Sequence, residues 1–93
     1  MALDEAAAAA AQAGLDPAWE RAGTASIRRT FSFPNFVDAF GFATRIALLA
    51  QGENHHPDLE VGWGRVSVTF STHSAGGLTD NDFAMAAKVD ALR

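Results

Sequence analysis

The segment Phe36–Gln51 (FVDAFGFATRIALLAQ) constrains the fold of this chain more than any other part. At 100° per residue its apolar side chains, Phe36, Phe40 and Phe42 among them, cover about half of a helix circumference. Asn35 is a good helix N-cap, and Gly52 can take the left-handed C′ conformation that ends a helix. The pattern predicts a helix over residues 36–51 with a broad apolar face.

A second, narrower apolar stripe lies on the same predicted helix. Val37 and Leu48 fall beside the polar Asp38 and Arg45 and outside the broad apolar face. Contiguous apolar residues on an otherwise polar surface mark contacts with other proteins. The stripe therefore predicts that the chain forms a homo-oligomer.

An alternating segment lies on each side of this helix. Residues 19–33 contain a Gly23-Thr24 turn, and the following run places four side chains on one face: Ile27, Arg29, Phe31 and Phe33. Residues 59–70 contain a second turn at 62–64, followed by a run with a shared apolar face: Val66, Val68 and Phe70. Alternation of this kind is typical of half-buried strands. Two β-hairpins are predicted, the first with an unexplained arginine on its inward face.

A shorter helix is predicted near each end of the chain. Asp4 can cap an alanine-rich helix over about residues 5–13, and Thr79 begins a last helix with an apolar arc. The order helix, two strands, helix, two strands, helix predicts an α+β fold, a four-stranded antiparallel sheet with its helices packed on one face. A length of 93 residues suits a single domain over 1–93.

Composition excludes several classes of function. A net charge of −4 argues against a nucleic-acid surface, and the absence of cysteine excludes thiolate catalysis and cysteine-based zinc sites. The N-terminus has acidic residues and alanines where a signal peptide has a basic region and a strongly apolar core, and no segment is long enough for a membrane span. We therefore expect a cytoplasmic protein that binds neither nucleic acid nor membrane.

The chemical groups that remain are concentrated in Glu53–Asp58 (ENHHPD), where His55 and His56 are adjacent and Pro57 biases His56 toward extended backbone. Three interpretations stay open. One histidine caps the helix while the other is solvated. Alternatively, the histidines bind a metal together with later residues, although adjacent side chains usually point apart. Finally, imidazoles that titrate near neutrality act as acid and base on a small substrate.

His73 lies eighteen residues after His55, across a complete hairpin. Because a hairpin returns its ends to the same edge of a sheet, all three histidines are predicted to line one cleft. Asp82 follows Thr79 at the spacing of a helix capping box, which gives its carboxylate a structural interpretation as well as a functional one. Trp19 and Trp63 are either hydrophobic anchors or, for one of the two, an aromatic wall of the cleft.

These residues together form a recognisable pattern. It comprises Trp19-Glu20, the phenylalanine run from Phe31 to Phe42, His55-His56-Pro57, Ser71-Thr72-His73 and Leu78-Thr79-x-x-Asp82. The pattern resembles the pterin-4a-carbinolamine dehydratases, the family that includes the dimerisation cofactor of a homeodomain transcription factor. The resemblance extends from about Trp19 to the C-terminus.

The resemblance implies dehydration of 4a-hydroxytetrahydrobiopterin or a related 4a-hydroxytetrahydropterin, the carbinolamine released by aromatic amino acid hydroxylases, to quinonoid dihydropterin. It implies no metal or organic cofactor, and a homodimer or homotetramer. By position it implies that His55, His56 and His73 are the catalytic histidines, with His56 mainly a pterin contact, and that Trp19 and Asp82 help to bind substrate. An alternative is a non-catalytic interaction or coactivator-like module on the same fold.

Two positions depart from the pattern of some relatives. Gln51 stands where those relatives have an acidic residue four positions before the first histidine, and Asn54 stands where they have an aspartate directly before it. A nearby carboxylate favours the charged form of an imidazole. The departures are therefore expected to affect catalytic efficiency more than reaction type.

Overall fold

The computed structural model describes all residues from 1 to 93 and shows three helices and four strands. Their bounds are α1 Glu5–Ala13, β1 Glu20–Ala22, β2 Ser26–Ser32, α2 Phe36–Glu53, β3 Asp58–Gly62, β4 Arg65–Phe70 and α3 Asp80–Ala91. A single 3₁₀ turn, His73–Ala75, lies between β4 and α3. The predicted α+β class and order of elements are confirmed.

All four strands pair antiparallel in the order β1-β2-β4-β3. In the outer pair, Asp58 at the start of β3 lies opposite Thr69 near the end of β4. The segment that precedes β3 and the segment that follows β4 therefore leave the sheet at the same edge. These segments carry His55-His56 and His73, so the topology brings the three histidines to one end of the sheet.

The helices cover one face of the sheet, as predicted. On β2, Ile27 and Phe31 are buried in the core, whereas Arg28 and Thr30 between them are exposed. The core is rich in aromatic rings that lie against one another: Trp19, Phe31, Phe33, Phe42 and Phe70. None of the three helices combines the length and hydropathy that a membrane crossing requires.

The C-terminal end of α2 differs from the predicted end at Gln51. The helix continues through Gly52 to Glu53, and Asn54 takes the left-handed conformation with φ of 53°. Asparagine is the residue that adopts this conformation most readily after glycine. The His55 N–H then donates to Ala50 O at 3.1 Å, which closes the helix end and fixes where His55 begins.

The buried face of α2 is narrower than its sequence pattern predicts. Phe42 and Ile46 are fully buried, but Phe36 and Phe40 are about half exposed and contact each other with ring centroids 5.8 Å apart. Val37 and Leu48 are 77% and 70% exposed. An apolar surface thus lies on α2, and the homo-oligomer that it suggests remains a prediction.

The inward-facing Arg29 of β2 has an identifiable partner. Its Nη1 donates to Asp90 Oδ1 at 3.0 Å, and the guanidinium lies 4.5 Å from the centre of the Phe31 ring. Asp90 also accepts the indole N–H of Trp19, at 3.0 Å to Oδ2. Arg29 therefore belongs to a structural cluster that ties β2 to α3.

The alanine-rich α1 is held mainly by polar contacts. Arg21 donates to Glu5 Oε2 at 2.7 Å and to Gln12 Oε1 at 2.7 Å, while Ala8 is the buried residue of the helix. The guanidinium of Arg21, by hydrogen bond and charge, holds the pKa of the Glu5 carboxyl below its ordinary value. The contribution of this exposed pair is therefore present above the ordinary pKa of Glu5 and disappears as the pH falls through the lowered value.

Candidate active site

His55 is held between the end of α2 and the core. Its ring lies nearly parallel to that of Phe70, with centroids 6.0 Å apart and planes 18° apart, and its side chain is 16% exposed. Phe70 in turn lies against Trp19, with centroids 6.3 Å apart. A half-buried ring against an aromatic wall has few alternative rotamers, so the orientation of this imidazole is fixed.

A carboxylate determines which nitrogen of His55 carries the proton. His55 Nε2 lies 2.6 Å from Asp82 Oδ1, slightly shorter than the roughly 2.7–2.9 Å that is usual for a charge-assisted hydrogen bond from nitrogen to a carboxylate. Since a carboxylate only accepts hydrogen bonds, Nε2 carries the proton and donates it. When His55 is neutral, Nδ1 is therefore the basic nitrogen. A histidine oriented by a buried carboxylate is a recurring arrangement for general acid–base chemistry.

Asp82 is completely buried, with an exposed fraction of 0%, and both of its oxygens are engaged. Oδ2 accepts from the Thr72 hydroxyl at 2.8 Å and from the Thr79 N–H at 2.9 Å. The second contact is part of the predicted capping box at the start of α3, which is confirmed. Asp82 has no exposed surface in this structure, and its contact with substrate stays a prediction. Its carboxylate acts on His55 and on the helix end.

His56 has a different environment. It is exposed, and its Nε2 lies 3.0 Å from Gln51 Oε1, one turn back on α2. The amide oxygen accepts a hydrogen bond as a carboxylate would, but without the negative charge. His56 makes no hydrogen bond to His55, His73 or Asp82. An exposed imidazole held at one nitrogen presents its other nitrogen to solvent, where it can bind a ligand.

His73 lies in the loop that joins β4 to α3. The loop is closed by the bridge between Thr72 and Gly77, whose two hydrogen bonds are both 3.3 Å. His73 itself is exposed and makes no side-chain hydrogen bond. Thr72, the residue directly before it, donates to Asp82, and Asp82 accepts from His55. Thr72 therefore links the backbone next to His73 to Asp82, the carboxylate that orients His55.

Gly77 allows this loop to pack closely on the first hairpin, which gives a testable prediction. A Cβ at position 77 would lie 2.7 Å from Thr24 O, too close for the backbone to stay in place. We expect Gly77→Ala to displace the His73 loop and to lower kcat/KM for the reaction proposed below by about tenfold or more, because small displacements of positioned groups are costly. Steady-state kinetics measures the loss. Gly76→Ala is not a suitable comparison, because Gly76 has a positive φ and an alanine there would itself be strained. Gly52→Ala is the matched control, because a Cβ there meets nothing within 4 Å. Equal activity of both variants would contradict the prediction.

Trp19 is buried in the core. Its side chain is 0% exposed, and its indole N–H is bonded to Asp90. These contacts favour its interpretation as a hydrophobic anchor, and its contact with substrate stays a prediction. Through Phe70 it supports the ring of His55 from behind.

The surface near the histidines consists of two separate depressions. A cavity of about 100 Å³ beside His55 is also lined by Glu53, Asn54 and Lys88. A second of about 340 Å³ is lined by Ala25, Ser71, His73, Gly76 and Gly77. Ligand pockets usually measure about 300–1,000 Å³, so the smaller cavity cannot enclose a bicyclic ring. The prediction of a single cleft lined by all three histidines is not met by either cavity.

The candidate site therefore contains one oriented histidine and two exposed ones at the same end of the sheet. No group of three or more His, Asp or Glu side chains lies close enough together to hold a metal ion. Sequence reasoning did not assign a role to Thr72 or Phe70. The signal for Thr72 was its position between Ser71 and His73, whereas the Phe70 contact follows from strand register and has no motif of its own.

The whole chain matches a known family. The model of the pterin 4 alpha carbinolamine dehydratase family matches residues 1–92. A protein of Methylococcus capsulatus that is provisionally named a pterin-4-alpha-carbinolamine dehydratase is 49% identical over 77 residues, which are 82% of this chain and 68% of that protein. A protein of Chlorobium limicola with the same provisional name is 51% identical over 79 residues, 82% of this chain and 70% of the other.

Two solved structures are similar in fold. A transcriptional coactivator/pterin dehydratase from Brucella melitensis superimposes with a TM-score of 0.90 at 39% identity, over 99% of this chain and 98% of that one. A pterin dehydratase-like protein described as a RuBisCO assembly factor in the alpha-carboxysome superimposes with a TM-score of 0.68 at 23% identity, over 81% and 88% of the two chains. The second likeness shows the fold alone.

Proposed function

Because the chain belongs to the pterin 4 alpha carbinolamine dehydratase family, we propose that it converts 4a-hydroxytetrahydrobiopterin, or a related 4a-hydroxytetrahydropterin, to quinonoid dihydropterin and water. The observation that carries this proposal is the 2.6 Å bond between His55 Nε2 and the buried Asp82, at the edge of the sheet where His56 and His73 are exposed. The protein would be a carbon–oxygen lyase that needs no metal or organic cofactor.

The reaction requires two proton transfers. The C4a–O bond breaks, and the leaving oxygen takes a proton and departs as water. A ring nitrogen loses its proton, and its electron pair forms the C=N bond of the product. A protonated imidazole can supply the first proton and a neutral imidazole can accept the second, and solvent exchange restores both rings. We assign these two roles jointly to His55 and His73.

The contact with Asp82 supports a specific part for His55 in this chemistry. With Nε2 committed to Asp82, proton transfer to or from substrate occurs at Nδ1. His73 is exposed and free of side-chain partners, so its imidazole is available to exchange a proton with substrate. His56, held by Gln51, serves mainly to bind the pterin ring.

The Gln51 contact leads to a prediction about charge. Gln51→Glu keeps an acceptor beside His56 and adds a negative charge, which favours imidazolium. We expect kcat/KM near neutral pH to rise by about two- to fivefold at low ionic strength and the gain to shrink with added salt, because both side chains are exposed. Steady-state kinetics at two salt concentrations measures this. Glu53→Gln is the control, because it changes a charge near His56 without a contact to it. This variant should not show the salt-dependent gain in kcat/KM that is expected for Gln51→Glu. An unchanged or lower kcat/KM for Gln51→Glu would contradict the prediction.

The proposed function is tested by comparing the wild type with a variant that lacks all three imidazoles. Synthetic 4a-hydroxytetrahydropterin is followed by its absorbance as it converts to quinonoid dihydropterin. We expect the wild type to speed the conversion and the triple variant His55→Gln, His56→Gln, His73→Gln to return it to the buffer rate. Equal rates for the two proteins would reject histidine catalysis.

The proposal also has a cellular side. Aromatic amino acid hydroxylases release the carbinolamine, so the protein would serve tetrahydrobiopterin recycling, in the cytoplasm and as a homodimer or homotetramer.

A second candidate function, a protein-interaction module on the same fold, is favoured by the exposed apolar side chains of α2, among them Val37 and Leu48. A module of this kind would leave the substrate decaying at the buffer rate while its binding activity survived the triple histidine substitution.

A further inference from the structure

Thr72 has more contacts with the site than its place in a loop would require. Its hydroxyl donates to Asp82 Oδ2 at 2.8 Å and lies 3.0 Å from the Thr79 hydroxyl. Its backbone N–H and C=O both bond to Gly77, which closes the loop. Thr72 therefore contacts both the carboxylate that orients His55 and the turn that carries His73.

The direction of these bonds can be assigned. A hydroxyl has one proton, and Thr72 gives its proton to the carboxylate. The contact with Thr79 is then a bond in which the Thr79 hydroxyl donates and Thr72 accepts. The two hydroxyls form a chain that ends on Asp82, so the position of the carboxylate depends on Thr72 and not only on the helix cap.

Without the Thr72 hydroxyl, Asp82 Oδ2 would keep the Thr79 N–H at 2.9 Å and only a long approach to the Thr79 hydroxyl at 3.5 Å. Oδ2 would then be held by one short hydrogen bond instead of two, so the carboxylate would be less firmly fixed at its distance of 2.6 Å from His55 Nε2. In metal sites, the loss of an outer contact that orients a histidine typically costs about 10–100-fold in metal affinity or activity, and we expect a loss of the same order here.

We propose that Thr72 is a positioning residue that couples the His73 loop to the His55–Asp82 pair, so that one hydroxyl sets both the ring of His55 and the location of His73. This inference rests on the proposed dehydratase function for its kinetic consequence. Thr72→Val removes the hydroxyl at nearly constant volume and should lower kcat by about 10–100-fold with little change in KM. Thr72→Ser keeps the hydroxyl and should restore kcat to within about threefold of the wild type.

A double-mutant cycle separates positioning from loop structure. If Thr72 acts through Asp82, then Thr72→Val should change kcat by less than about threefold in an Asp82→Asn background, because the oriented carboxylate is already lost. Multiplicative effects of the two substitutions would overturn the proposal. Thr69→Val, the same substitution on the outer face of β4, is the matched control and should leave kcat unchanged.

A spectroscopic measurement decides the coupling independently of activity. Long-range ¹⁵N–¹H spectra of the imidazole rings, recorded on the ligand-free protein, show the His55 Nε2–H proton, whose chemical shift reports how tightly Asp82 holds it. We expect the same far-downfield shift in the wild type, in Thr72→Ser and in Thr69→Val, and a clear upfield shift in Thr72→Val, because the carboxylate is then less firmly fixed. Should Thr72→Val fail to fold by circular dichroism, Thr72→Ala takes its place with the same expected spectrum.

The outcomes distinguish the positioning role of Thr72 from the proposed dehydratase function. An unchanged His55 Nε2–H shift in the hydroxyl-free variant overturns the role of Thr72, whatever the activity. An upfield shift in that variant together with a wild type that works only at the buffer rate supports the coupling and rejects the dehydratase function. An upfield shift with the expected loss of kcat supports both.

Discussion

Replacing His73 by alanine is expected to lower kcat for 4a-hydroxytetrahydropterin dehydration by about 10²–10⁴-fold, the usual contribution of a general acid or base. His73 is exposed and has no side-chain hydrogen bond, so its removal leaves the fold intact. The loss should therefore appear in kcat at an unchanged melting temperature. Stopped-flow absorbance of the conversion, paired with thermal denaturation, measures both quantities.

The neighbouring Ser74 supplies the control for this prediction. It lies in the same 3₁₀ turn and is also exposed, so Ser74→Ala changes the turn to a similar degree without removing an imidazole. We expect Ser74→Ala to match the wild type. If His73→Ala keeps more than half of the wild-type kcat, His73 is not an acid–base group of this reaction.

The second large effect is expected for Asp82→Asn. An asparagine amide can donate as well as accept, so Nδ2 can face His55 and move the imidazole proton to the wrong nitrogen. In enzymes where a carboxylate orients a catalytic histidine, this change costs up to about 10⁴-fold in kcat. We expect a loss of about 10²–10⁴-fold here, with a melting temperature lowered by about 4–8 °C because the capping box is weakened.

Asp80→Asn separates the effect on His55 from the effect on the helix. Asp80 is exposed in the same first turn of α3, so this variant loses the same charge near the helix N-terminus without touching His55. It should retain wild-type kcat when both variants are assayed well below their melting temperatures. A comparable loss of kcat in Asp80→Asn would assign the effect of Asp82→Asn to the helix.

Local sequence patterns predicted the fold well where the pattern and the packing agree. The alternation on β2 and the Asn35 cap of α2 are examples, and both are confirmed. The end of α2 differed because a favourable C-terminal residue, Gly52, was followed two positions later by Asn54, which can play the same part. Helical periodicity also cannot show that Phe36 and Phe40 lie beyond the area that the sheet covers.

The sequence predicted which residues lie at the site better than it predicted what each of them does. Spacing across a hairpin correctly placed His55 and His73 at one edge of the sheet, because strand pairing fixes where chain ends emerge. It could not show that Asp82 would be fully buried beneath His55, or that Trp19 would lie one layer deeper, behind Phe70. Burial depends on packing between elements distant in sequence, which motif spacing does not report.

The most direct measurement is turnover of 4a-hydroxytetrahydropterin by the purified protein at a concentration well below that of the substrate. An acid–base dehydratase predicts that the initial rate rises in proportion to protein concentration, that each molecule completes many turnovers, and that chelator-treated protein works equally well. Decay at the buffer rate at every protein concentration would contradict the proposed function.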